Sequence, residues 1–79
     1  MQINTFIKAF ELWTEANSSN IMIIVSDKQH NGEVTSETFS ENVEWRDDDG
    51  EVMAQPSSPT FADIQAYETA AESVANYSN

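Results

Sequence analysis

The chain has no cysteine, and its 79 residues include only two glycines, two prolines and three lysine or arginine residues. Without cysteine there is no disulfide and no thiolate metal site. Two isolated glycines, Gly32 and Gly50, leave no Gly-rich phosphate loop. Lys8, Lys28 and Arg46 are dispersed and form no basic patch that would hold nucleic acid. Long apolar runs are missing as well. The longest, Ile21–Val25, is far short of the ~20 residues a membrane helix requires. The first residues lack a basic region, and Glu11 interrupts the first apolar stretch, so no secretory signal is expected. A cytoplasmic or virion location follows, and the glycosylation-like triplets Asn17-Ser18-Ser19 and Asn76-Tyr77-Ser78 then carry no meaning.

Acid dominates what is present. Fourteen Asp and Glu give a net charge of −11, beyond the magnitude of roughly 2 to 8 that solubility asks of a small domain. Such a chain repels nucleic acid and anionic membranes and is drawn to basic surfaces. Neither direct nucleic-acid binding nor membrane association is expected. A protein partner with a basic surface is, although acidity can also serve solubility alone.

The length fits one domain, residues 1–79. A domain of this size buries only about 60 to 65% of its unfolded surface, so its core rests on a few large side chains. A homodimer would bury more and is left open.

Ile3, Phe6, Ile7, Phe10 and Trp13 recur at spacings of three and four, which predicts a helix with these residues on one face. Asn4 or Thr5 is its expected cap, and the Asn17–Asn20 cluster its end. The β-branched run Ile21–Val25 predicts a central strand covered on both faces. Asn31-Gly32 is a hairpin signal, with Glu33–Phe39 as the partner strand, anchored by Val34 and Phe39. Residues 42–46 and 51–55 bracket Asp47-Asp48-Asp49-Gly50 as a second hairpin. Either Ser58 with Pro59 at the first helical position, or Thr60 with Asp63, opens a last helix through Phe61, Ile64, Tyr67, Ala71 and Val74. The expected fold is α+β: an N-terminal helix, a three- to four-stranded antiparallel β-meander and a C-terminal helix. Its core anchors are Phe6, Phe10, Trp13, Ile23, Trp45, Ile64 and Tyr67. With both helices on one side, the other sheet face would be open and acidic.

Groups that could carry chemistry do not assemble in the sequence. Asp47–Gly50 invites a calcium reading, but placing Gly50 at position six of an EF-hand loop puts Trp45 at position one and Pro56 at twelve, and neither can ligate. A solvated turn is the better account. His30 is the only histidine and has no second ligand for a metal. Asp27, Glu33, Glu37, Glu41 and Glu44 could act as acid or base only if a cleft desolvated one of them, and no cleft is legible. No enzymatic activity, cofactor or metal is expected.

The acids are more informative as a pattern. Glu33, Glu37 and Glu41 share strand parity, and Glu44, Asp47, Asp48, Asp49 and Glu51 continue the series. These eight residues are the expected partner-binding surface. Carboxylates presented in such a row can also stand in for phosphates in a basic nucleic-acid channel.

Asn42-Val43-Glu44-Trp45-Arg46-Asp47-Asp48-Asp49, then Gln55-Pro56 and Pro59-Thr60-Phe61-Ala62-Asp63-Ile64, resembles the C-terminal part of short bacteriophage proteins encoded among tail and virion genes. That resemblance covers less than half of the chain. Size, charge and layout also resemble small acidic phage inhibitors of the anti-CRISPR and anti-restriction type. The first resemblance implies an accessory protein that binds a protein partner in virion or tail assembly. The second implies a nucleic-acid mimic that blocks a host defence protein. Both imply a host-cell or virion location.

Overall fold

The computed structural model describes residues 1–26 and 32–78, with side chains through Ser73. Helix α1 spans Ile3–Ala16 and strand β1 Met22–Val25. A single helical turn α2, Phe39–Asn42, runs into strand β2, Val43–Arg46. Helices α3, Phe61–Gln65, and α4, Glu68–Ser78, close the chain.

Helix α1 begins one to two residues before the expected caps. Gln2 is the N-cap, without a side-chain bond, and neither Asn4 nor Thr5 takes that role. The entry is fixed by pairing instead. Gln2 forms an antiparallel bridge with Glu33, Ile3 N–H donates to the Gly32 carbonyl at 3.0 Å, and Val34 N–H donates to the Met1 carbonyl at 2.8 Å. Thr5, Phe6, Ala9 and Phe10 form the buried stripe, which turns Ile7 outward. The helix ends where expected. Ser18 sits at φ 51°, Ser19 N–H reaches back to the Thr14 carbonyl at 2.9 Å and Ser18 N–H to that of Glu15 at 3.4 Å. This is the Schellman pattern, which caps the last carbonyls.

The α+β character holds, but among the described residues the sheet has two strands, not three or four. Strands β1 and β2 are antiparallel, with Ile23 opposite Trp45 and Ile24 opposite Glu44. Side chains alternate across a strand, so Ile23, Val25, Val43 and Trp45 face the helices while Met22, Ile24, Glu44 and Arg46 face outward. Strand β1 is therefore covered on one face only, and the outer face is mixed apolar and charged, not simply acidic.

Glu33–Phe39 is not a strand. After the bridge at Glu33, Thr35 and Thr38 bond each other's backbone: Thr35 N–H donates to Thr38 Oγ1 at 3.0 Å and Thr38 N–H to Thr35 Oγ1 at 3.2 Å. Threonine hydroxyls that take up backbone groups locally compete with a ladder, and here they fold the chain into α2. The Asn31 half of the expected Asn31-Gly32 turn lies outside the described residues, as do Asp27, Lys28 and His30. The second hairpin forms around its turn, but its return arm contributes a single bridge, Arg46 to Val52, made by Met53 N–H to the Trp45 carbonyl and Asp47 N–H to the Glu51 carbonyl, both at 2.9 Å. Pro56, with no N–H to donate, stands close behind.

Thr60 opens α3 through a capping box. Its hydroxyl accepts from Asp63 N–H at 3.2 Å, and the Asp63 carboxylate accepts from Thr60 N–H at 2.9 Å. Ser58 therefore caps nothing; it precedes Pro59 through a cis peptide bond. The expected single last helix is two, because Tyr67 N–H bonds three residues back, to the Ile64 carbonyl at 2.9 Å.

Phe6, Phe10, Trp45 and Ile64 are buried as expected, whereas Trp13, Ile23 and Tyr67 are only partly covered. Phe39 is the hub of the core. Its ring meets Phe6, Trp45 and Phe61 edge-on, with centroids 5.7 to 5.9 Å apart, the geometry favoured by aromatic quadrupoles. Val34, Val43, Ala9 and Ala71 complete this core.

Candidate functional surface

The eight acids expected to bind a partner divide into separate groups. Glu33 lies on the bridge to Gln2, Glu37 in the turn before α2, and Glu41 on α2, so the three do not share a strand face. The parity argument fails because the segment is not extended. All three are exposed nonetheless.

Glu44 to Glu51 form one continuous stretch with Arg46 as its only cation. Arg46 Nη2 and Nε both donate to Glu44 Oε2, at 2.7 and 3.1 Å, while Nη1 donates to the Gly50 carbonyl at 2.8 Å. Arg46 thus ties β2 to the turn and neutralises one acid.

Asp47 organises the turn itself. Its Oδ1 accepts from Asp49 N–H and Glu51 N–H, both at 3.0 Å. Gly50, at φ 83°, takes the left-handed conformation that lets the chain return. Asp48, Asp49 and Glu51 remain exposed, with no structural bond from their carboxylates among the described residues. Asp47, Asp48 and Asp49 each bring a carboxylate oxygen within 4.8 Å of the others. An ion could be held there, although Asp47 already spends an oxygen on the turn and exposed acids of this kind commonly cluster without a metal.

Beside this acidic stretch lies an open groove of about 740 Å³ between β1, α2, β2 and the arm after the turn. Ile24, Val43, Trp45, Val52 and Met53 line it together with Glu41 and Glu44, and among the described residues no lysine or arginine does. Ile24 is 53% and Val52 65% exposed. An open sheet face was expected, but not its apolar share or the groove, because every residue of Ile21–Val25 is apolar and hides the alternation. The signal was in the partner strand: Val43-Glu44-Trp45-Arg46 alternates cleanly, so one face of any strand paired with it must be open.

No protein-family model, characterised protein or solved structure matches the chain. Among the described residues, no helix is long and apolar enough to cross a membrane.

Proposed function

We propose that this chain is a non-catalytic binding protein of the short acidic phage accessory kind, docking on a protein partner with a basic surface in virion or tail assembly. The carrying observation is the continuous stretch Glu44–Glu51, in which four of the five acids are exposed, the fifth, Asp47, is half-buried, and Arg46 is the only cation. A surface of this sign accelerates encounter with basic partners and discriminates against acidic ones. The groove beside it is open and shallow, unlike the enclosed cleft in which a carboxylate is tuned for acid–base work.

The test is cross-linking and affinity capture from phage-infected cells over a sodium chloride series, with double-stranded DNA as competitor. Assembly docking predicts capture of a virion or tail component that survives DNA. Capture of a host nuclease or DNA-binding protein, lost with salt and displaced by DNA, would replace this reading with that of a nucleic-acid-mimicking inhibitor of the anti-restriction or anti-CRISPR type. Turnover of a substrate that disappears on substitution of one of these acids would overturn both.

A further inference from the structure

The backbone of β1 is satisfied on one side only. Ser26 N–H donates to the Asn42 carbonyl, and Met22 and Ile24 stand opposite Arg46 and Glu44, which sets the alternation of the ladder. Met22 and Ile24 exchange bonds with β2, while the N–H and C=O groups of Ile23 and Val25 point to the opposite edge. Among the described residues nothing pairs with them there. Open edges are commonly guarded by charge, proline or a bulge. Strand β1 has none of the three: Ala16–Ser26 holds no charged residue and no proline, and the register with β2 is unbroken. Charge therefore selects neither a basic nor an acidic occupant for this edge.

The edge is complementary to itself. An antiparallel pairing that sets Ile23 opposite Ile23 lets the two residues exchange bonds, and Val25 N–H meets the Ile21 carbonyl of the other copy. Ile21 N–H is already taken by Ser19 Oγ at 3.3 Å. The same register places Met22 of one copy opposite Ile24 of the other, twice, on the outer face where they are 45% and 53% exposed. Four aliphatic side chains left in water by the separate chains then cover one another about a two-fold axis. The acids stay clear of it. Each sheet runs arm, β2, β1, so the two β2 strands would lie three strand spacings, about 14 Å, apart. Each acidic turn follows Arg46, at the Met22 end of its own β1, so the two turns fall at opposite ends of the joined sheet. Charge reaches only about 8 Å at 0.15 M salt. We infer that β1 pairs edge to edge with β1 of a second copy of this chain, antiparallel about Ile23, to make one continuous sheet. The contact is separate from the acidic turn and does not depend on partner docking there. It is small, so the dimer is weak and concentration-dependent.

Sedimentation equilibrium of the full chain, up to millimolar concentration and over a sodium chloride series, tests the pairing together with amide hydrogen exchange by NMR. The expected result is a dimer that tightens as salt rises, because screening relieves the repulsion between two acidic chains; a basic partner at the turn would instead be released by salt. Ile23 and Val25 amides should gain protection as the dimer fills. Ile24→Lys places two ammonium groups on the diagonal across the axis, about 7–8 Å apart at the backbone, and should weaken dimerisation at least about tenfold. Val52→Lys makes the same change of charge at an exposed position two strands from the axis and should leave dimerisation within about twofold. Both positions are exposed, so both variants should fold, which circular dichroism checks. A chain that stays monomeric at millimolar concentration in high salt overturns the proposal. So does a dimer in which Ile23 and Val25 amides exchange freely, or one that Ile24→Lys and Val52→Lys weaken equally.

Discussion

Asn42 carries a primary amide into a place that solvent does not reach. The residue is fully buried; its Nδ2 donates to the Glu33 carbonyl over a long 3.3 Å, and its Oδ1 has no partner among the described residues. A buried acceptor left unpaired costs about 1–3 kcal/mol, whereas a neutral hydrogen bond returns about 1 kcal/mol. The amide is therefore a net liability. Asn42→Leu, of similar volume, should leave stability unchanged or raise it by up to about 1 kcal/mol. Asn42→Asp buries a charge with no counter-charge in bonding distance among the described residues and should lower stability by several kcal/mol at neutral pH. Urea unfolding of the two variants checks the pair, and a strongly destabilised Leu variant would show that the long bond to Glu33 matters more than its length implies. The acidic turn divides in the same residue-by-residue way. Asp47 accepts two backbone N–H groups, while among the described residues the Asp48 and Asp49 carboxylates accept none. Asp47→Ala should therefore cost about 1–2 kcal/mol. Asp48→Ala and Asp49→Ala should stay within about 0.5 kcal/mol of the unaltered chain, and each should weaken partner binding. Equal stability losses for all three would mean that Asp47 does not organise the turn.

At the scale of elements, the ends of α1 are informative. Its C-terminal cap places Ser18 at φ 51°, the left-handed position for which glycine is the usual residue because a Cβ is crowded there. The Schellman bonds from Ser18 and Ser19 survive despite that crowding. Ser18→Gly should raise the thermal midpoint, with a gain of about 1 kcal/mol, and a loss of stability would mean that the serine hydroxyl makes a bond worth more than the strain. The same comparison of local and distant causes separates what could be read in the sequence from what could not. The helix of residues 3–16, the Asn17–Asn20 stop, the Thr60–Asp63 box and the Asp47–Gly50 turn are all set by neighbours within a few residues, and all were legible. Glu33–Phe39 was not, since its anchors Val34 and Phe39 are in fact buried, but against α1 and β2 rather than along a strand. The hydroxyls of Thr35 and Thr38 decided its path, and they read equally well as strand residues. The site followed the same rule. That acids crowd between Glu33 and Glu51 was visible; that Glu33, Glu37 and Glu41 part company was not, because spacing translates into a shared face only once the segment's conformation is known. The outer-face groove depended on a pairing between β1 and β2 across a sequence gap and left its trace only in the alternation of β2.

For the whole molecule, the charge sets a tension between staying folded and staying ready to bind. Two unit charges about 15 Å apart in water repel by about 0.3 kcal/mol before screening, and the fold holds a net −11 within principal extents of 32 × 29 × 21 Å. Unfolding lets these charges separate, so repulsion lowers stability in a domain whose margin is already small. The two ion pairs among the described residues, Lys8 with Glu11 and Glu44 with Arg46, are both at the surface and offset little of this. Salt shortens the reach of charge from about 30 Å at 0.01 M to about 8 Å at 0.15 M. The thermal midpoint should therefore climb by at least about 5 °C as sodium chloride rises through that range, on the scale of 1 kcal/mol for a domain of this size. An Asp48→Asn, Asp49→Asn, Glu51→Gln variant, which removes three charges that hold no structural bond from their side chains, should start with a higher midpoint in low salt and gain less from added salt. Equal salt responses would place the repulsion elsewhere on the surface. A basic partner acts on the same term as salt does, but locally. It neutralises the acids around the turn and adds stability by mass action, so the midpoint of the unaltered chain should rise more with a lysine-rich peptide than that of the triple variant, and the difference should vanish in high salt.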